Sequence, residues 1–91
     1  MQIRYFIDPT TELPHIYQHD VSELEVEAVL ARPLQTLRGR RNSQVAIGQT
    51  EEGRYLKVIY VPDAAPNFVV TAYELGSKAK RALRRKRRKK K

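Results

Sequence analysis

Apolar and polar residues alternate, or recur with a helical period, along most of the chain. Ile3, Tyr5 and Ile7 alternate with Gln2, Arg4 and Phe6, which predicts a strand over Gln2–Ile7. Asp8-Pro9-Thr10-Thr11 supplies turn chemistry that ends it. Leu13, Ile16 and Tyr17 have helical spacing between Glu12 and Gln18, but Pro14 is tolerated only in a first turn, so a short helix is expected. The next signal is sharper. Ser22 and Glu25 are spaced for a capping box, in which each side chain accepts a bond from the other's backbone amide. Val21 and Val26 flank it where a hydrophobic staple would sit. Leu24, Ala28, Val29 and Leu30 then predict the inward face of a helix that Pro33 stops at Arg32. Glu23, Glu25 and Glu27 suit the partial positive charge of its first turns.

The second half favours strands. Leu34–Leu37 reads as a short strand, Arg38–Asn42 as a basic turn, and Val45 and Ile47 alternate with Gln44 and Ala46. Gly53 closes a turn from Gly48, where a positive φ is cheap for glycine. From Arg54 to Tyr73 lie two runs of β-branched and aromatic residues separated by a segment containing Pro62 and Pro66, a composition suited to two paired strands. Leu56, Val58 and Tyr60 would share one face of the first, and Phe68, Val70 and Ala72 one face of the second. After them, Ser77 can cap a helix whose narrow stripe is Ala79, Ala82 and Leu83. The expected fold is α+β: a small antiparallel twisted sheet with N-terminal helices packed on one face, spanning residues 1–77 as a single domain. Residues 78–91 would form a polybasic C-terminal helix or tail, partly disordered from Arg84 onward because nothing there can be buried.

Composition narrows the function classes. With 91 residues and no cysteine, neither disulfides nor a zinc–thiolate site braces the fold. No apolar run is long enough to span a bilayer and no signal-peptide pattern opens the chain, so a cytoplasmic location is expected. The net charge of +8 is unevenly divided. Eleven of the eighteen Lys/Arg fall in residues 78–91 without an acid, while the remaining seven face all ten Asp/Glu and leave residues 1–77 at −3. The basicity is therefore a local feature that marks a polyanion-binding segment.

Lys78, Lys80, Arg81, Arg84, Arg85, Lys86, Arg87 and Arg88 are the phosphate-binding candidates, with Arg38, Arg40 and Arg41 of the basic turn beside them. Their density predicts sequence-independent, salt-sensitive affinity for RNA or another nucleic acid. The segment has no aromatic residue and so no means of stacking on bases. An anionic membrane surface ranks lower as a partner, because no amphipathic insertion face or lipidation signal accompanies the charge. His15 and His19 stand at i, i+4, but no carboxylate or cysteine completes a ligand pattern, so no metal and no cofactor are expected.

One further pattern spans most of the chain. His19-Asp20-Val21-Ser22, Pro33, Ala46-Ile47-Gly48-Gln49-Thr50 to Gly53-Arg54, Leu56–Tyr60 and Val69-Val70-Thr71-Ala72 follow one another in an order that resembles the BrnT-like toxins of the RelE/ParE superfamily. The resemblance covers roughly residues 15 to 85. It implies a small antiparallel sheet with N-terminal helices, metal-independent mRNA cleavage, action on the ribosome for some members, and an antitoxin protein that covers the active surface. Such cleavage needs a base at the ribose 2′-hydroxyl, cations at the phosphate and an acid at the leaving 5′-oxygen. Arg54, matching the motif's Gly-Arg, would contact the phosphate, with Arg81 next; Tyr73 would act as acid or stacking platform, and His19 is the motif-matched imidazole. Tyr73 stands where an arginine commonly follows the last strand in those toxins. The alternative is a non-catalytic module that binds nucleic acid through its polybasic tail.

Overall fold

The capping box forms as its spacing requires. Ser22 Oγ accepts from the Glu25 amide at 3.2 Å, Glu25 Oε1 accepts from the Ser22 amide at 3.0 Å, and helix α1 runs from there over Glu23–Ala31. Val21 and Val26, the staple pair, are both buried in the main core. The predicted inward face is rotated, however. Val26 and Val29 are buried, whereas Leu24 is 77% exposed. The staple fixes the helix's rotation by placing Val26 inward, and Leu24, two residues earlier, is then carried outward.

The computed structural model describes residues 3–62 and 67–89, with side chains described as far as Arg85. Five strands form one sheet: β1 (Ile3–Tyr5), β2 (Gln35–Arg38), β3 (Gln44–Gln49), β4 (Tyr55–Val61) and β5 (Asn67–Glu74), in the spatial order β1-β5-β4-β3-β2. Strands β2 to β5 form the expected antiparallel meander, but β1 pairs with β5 in parallel. The sheet is therefore mixed, and the wholly antiparallel sheet expected from the sequence is corrected. Alternation of Ile3 and Tyr5 specifies which face of a strand is buried; it carries no information on the direction of the neighbour.

The expected placement of the helices is corrected too. Between β1 and α1 the chain makes only a 3₁₀ turn, His15–His19, which starts after Pro14 and ends on Asp20 in the left-handed region at φ 58°. That leaves a single α-helix in the N-terminal half. The second helix, α2, spans Ser77–Lys89 and lies against the other side of the sheet. Strand alternation creates the two faces. Leu56 and Val58 of β4 join Ala46, Val69 and Ala72 beneath α1 and the 3₁₀ turn, with Ile16, Val21, Val26 and Val29. Tyr55, the neighbour of Leu56, points the other way and packs with Leu75, Leu83 and Ile47. α1 sits close on its face: a Cβ added at Gly48 would lie 3.1 Å from Val29 Cγ1.

Strand β5 contains the third departure from the expected pattern. Period-two alternation places Phe68, Val70 and Ala72 on one face, but Val69 and Ala72 are the fully buried pair. Opposite Ile59 and Tyr60 the register steps from Thr71 to Val69, so Val70 is an extra residue and inverts the alternation. Gln2, the start of the expected first strand, and Pro66, in the connection between β4 and β5, lie outside the described residues. Among those described, no helix is long and apolar enough to cross a membrane.

Leu56 has no exposed surface and lies at the centre of the larger core. Leu56→Ala should lower unfolding free energy by about 3 kcal/mol in a urea titration. Leu24→Ala should stay within about 0.5 kcal/mol of wild type. A larger loss at Leu24 than at Leu56 would contradict the rotation of α1 described above.

Candidate functional site

The basic helix is fastened to the body by few contacts. Leu83 is buried against Tyr55 and Leu75, the Arg84 guanidinium lies 5.7 Å from the centre of the Tyr55 ring, and Lys80 Nζ meets Glu74 Oε2 at 3.3 Å. These three residues recur at i, i+3 and i+4, so they form one inward stripe. Lys78, Arg81 and Arg85 are exposed on the rest of the helix. Nine of the thirteen residues of α2 are Lys or Arg. Such a helix has little to bury and strong self-repulsion, which an anionic partner would relieve. The backbone is helical through Lys89; the side chains of Lys86, Arg87 and Arg88 lie outside the described residues.

On the same sheet face, two residues along from Tyr55, stands Lys57. It pairs in register with Tyr73, and its Nζ lies 5.9 Å from the centre of the Tyr73 ring. His19, at the end of the 3₁₀ turn, has its ring 5.8 Å from Tyr73 and 5.2 Å from His15; His15 in turn lies 6.1 Å from Phe6. Two of the four candidate catalytic residues, His19 and Tyr73, are thus neighbours, although 54 positions separate them in the chain. Lys57 and His15 join them. Behind the cluster, Asp8 Oδ2 lies 3.2 Å from His15 Nδ1 and accepts from Gln18 Nε2 at 2.8 Å, while Asp8 Oδ1 accepts from the Thr10 amide at 2.8 Å. The Thr10 amide and then His15 hold the Asp8 carboxyl below the ordinary carboxylate range. An ionised carboxylate only accepts, so His15 donates from Nδ1. The arrangement brings two imidazoles, a cation and an aromatic face together, with Lys57 and Tyr73 on the sheet face where the polybasic helix docks. Among the described residues, no cluster of three or more metal-ligating side chains occurs.

Arg54 is bonded to Asp20 and Glu74, the residues that follow His19 and Tyr73, and its Nη1 and Nε are engaged. Its Nη1 donates to Glu25 Oε1 and Oε2, each at 3.0 Å, and to the Asp20 carbonyl at 2.7 Å, while Nε donates to Glu74 Oε1 at 3.2 Å. The β3–β4 turn delivers it there. The Thr50 amide donates to the Arg54 carbonyl, the Thr50 hydroxyl accepts from the Arg54 amide, the Thr50 carbonyl accepts from the Gly53 amide, and Gly53 adopts φ 90°. A phosphate at Nη1 or Nε of Arg54 would have to displace a carboxylate. Arg81 is exposed on α2, and no described bond joins it to the His19–Tyr73 cluster. Arg38, Arg40 and Arg41 sit in or beside the exposed β2–β3 turn, with Arg41 at φ 56°; among the described residues, no hydrogen bond or ion pair links them to α2.

Sequence reasoning missed Lys57 and Asp8. Lys57 is one polar residue inside an apolar strand, and only the β4–β5 register assigns it to Tyr73. Asp8 reads as turn chemistry, and its link to His15 depends on how the 3₁₀ turn folds back over β1.

Removing Arg54 tests its role. Burial pushes the Glu25 pKa up, but the Ser22 amide and Arg54 outweigh this and hold it below the usual range; Arg54, followed by Lys80, lowers that of Glu74. Carboxyls with depressed folded pKa values stabilise the fold above their unfolded pKa, and that stability is lost as pH falls through the folded value. Arg54→Met should cost about 2 kcal/mol at neutral pH, through the Glu25 carboxylate left unpartnered. The gap between variant and wild type should narrow below about pH 4, as measured by urea midpoints across pH. An unchanged gap would contradict the pairing. No family model, characterised protein or solved structure matches the chain, so its own residues carry the functional argument.

Proposed function

We propose that this protein binds nucleic acid, with RNA as the principal partner, through α2 and the Lys57–Tyr73–His19 surface beside it. One observation carries the reading: the polybasic helix docks on the sheet face that also bears Lys57 and Tyr73. The cations of α2 supply sequence-independent contacts to the phosphate backbone. Tyr73 supplies the stacking surface that the helix itself lacks, and flexible single-stranded RNA can present bases to it. A membrane surface fits less well, because Leu83 is already buried against the sheet and the exposed face of α2 has only Ala79 and Ala82 to insert.

A second reading rests on the contact between His19 and Tyr73. In it the protein is a toxin-like, metal-independent ribonuclease of a toxin–antitoxin system, as its sequence resemblance to the BrnT-like toxins suggests. His19 removes the 2′-hydroxyl proton as the 2′-oxygen bonds to phosphorus, Lys57 faces the phosphate as its charge builds, and Tyr73 protonates the 5′-oxygen as its bond to phosphorus breaks, leaving a 2′,3′-cyclic phosphate. The phosphate role moves from Arg54 to Lys57, because Arg54 is held by carboxylates. An antitoxin would be the protein partner, and the cytoplasm the compartment where mRNA and ribosomes are met.

Binding is tested with a short labelled single-stranded RNA. Charge reversal of Lys78, Arg81 and Arg85 together should weaken binding at least about a hundredfold. It should also flatten the salt dependence by about 0.7 log units for each phosphate that is no longer neutralised. Tyr73→Ala should weaken binding about tenfold at any salt concentration. Undiminished affinity in the triple variant would reject the binding reading. For cleavage, RNA is incubated with EDTA, both free and on translating ribosomes. Wild type should cut, and His19→Ala or Tyr73→Phe should slow cutting about a hundredfold. Intact RNA in both settings would reject the second reading.

A further inference from the structure

We propose that the exposed stripe of α2 docks into a groove on a second copy of this chain, so that the protein associates head to tail. The groove, of about 900 Å³, opens beside the first turn of α1 and the β3–β4 turn. Its apolar lining is Val21, Leu24, Ala28 and the ring of Tyr17; Leu24 is 77% exposed and Tyr17 43%, and nothing among the described residues covers them. Carboxylates rim this apolar strip. Asp20, Glu23, Glu25, Glu51 and Glu52 line the groove against the single guanidinium of Arg54. Glu25 is already paired with Arg54, and Glu23 accepts from the Tyr17 hydroxyl. Glu51 and Glu52 are exposed at the rim and make no described ion pair. The natural occupant is a helix face with small apolar residues at its centre and cations at its edges.

The chain carries such a face. Lys80, Leu83 and Arg84 form the inward stripe of α2, engaged with Glu74, Leu75 and Tyr55. The outward residues Lys78, Ala79, Arg81, Ala82 and Arg85 are all exposed. Positions 78, 81, 82 and 85 follow the i, i+3, i+4, i+7 spacing of one helical stripe. Ala82, on this stripe, allows close approach of the helix to Leu24 and Tyr17, while Lys78, Arg81 and Arg85 reach the carboxylate rim. Leu83 pins α2 to the opposite face of the sheet from α1, so the helix serves the groove of another molecule and not its own. The contact joins two different surfaces, so it repeats from copy to copy and association grows with concentration. It also uses cations that a nucleic acid would claim, so RNA and self-association compete for the same helix face.

The test is sedimentation of nucleic-acid-free protein at about 100 µM, a concentration suited to a weak contact, in about 50 mM and about 500 mM salt. Wild type should associate at low salt and dissociate at high salt. Glu51→Lys with Glu52→Lys, and separately Arg81→Glu with Arg85→Glu, should each raise the dissociation constant at least about tenfold. All four positions are exposed, and circular dichroism checks that each variant stays folded. Mixing the two double variants should restore association, because one supplies an intact helix and the other an intact groove. A monomeric wild type at low salt would overturn the proposal. So would association that survives either reversal, or a mixture that remains monomeric.

Discussion

Arg54 is the residue on which the arrangement of the elements depends. Its guanidinium joins the Asp20 carbonyl at the end of the 3₁₀ turn, the Glu25 carboxylate in the first turn of α1, and Glu74 at the end of β5. Glu74 passes the link to Lys80 of α2. One side chain thereby ties together the start of α1, the start of β4, the end of β5 and the root of the basic helix. Glu25 serves twice, once in the capping box and once in this network, so the local signal for a helix start also fixes where that helix sits on the sheet. The pairing is worth more than a surface ion pair because Arg54 and Glu25 are largely shielded from water, with side chains 23% and 16% exposed.

The division of charge follows from this network. The acidic part of the chain uses its best-placed arginine for structure, while Lys78, Arg81 and Arg85 of the basic helix stay exposed. Among the described residues, the basic helix is fastened by one buried leucine, one cation–aromatic contact and one ion pair, which leaves Lys78, Arg81 and Arg85 exposed. It docks on the sheet face that also bears Tyr73 and Lys57, so the proposed binding mode has a source of electrostatic attraction and an aromatic ring on one face. Sequence-independent attraction would bring a nucleic acid in, and the His19–Tyr73 contact would meet whatever lies next to the helix.

Much of this is legible in the residues, and the gaps have physical causes. The capping box, the staple, the glycine turn and the strand meander are local, and their spacing alone specifies them. The direction of β1 depends on a partner roughly sixty residues away in β5, which alternation does not encode. Val70 shows the limit of a period-two reading: one extra residue in β5 exchanges the faces of Phe68 and Val69 without any turn residue to announce it. Leu24 reads as inward because it is apolar, but Val21 and Val26 decide the rotation of α1. At the site, His19 and Tyr73 are recognisable as chemistry. Lys57 is not, since its place beside Tyr73 exists only through cross-strand register. Arg54 is recognisable as important, but its neighbours Glu25 and Glu74 come from elements on either side of it in sequence, and they turn a phosphate candidate into a clamp.

The most direct measurement is a titration of isotope-labelled protein with short single-stranded RNA, followed by nuclear magnetic resonance of backbone amides and arginine side chains. Changes should concentrate at residues 78–85 of α2 and at Lys57, Tyr73 and His19, with the Arg54 Nε signal unmoved. A large early shift of Arg54 Nε, with α2 unperturbed, would contradict the assignment of Arg54 to structure and of the basic helix to binding.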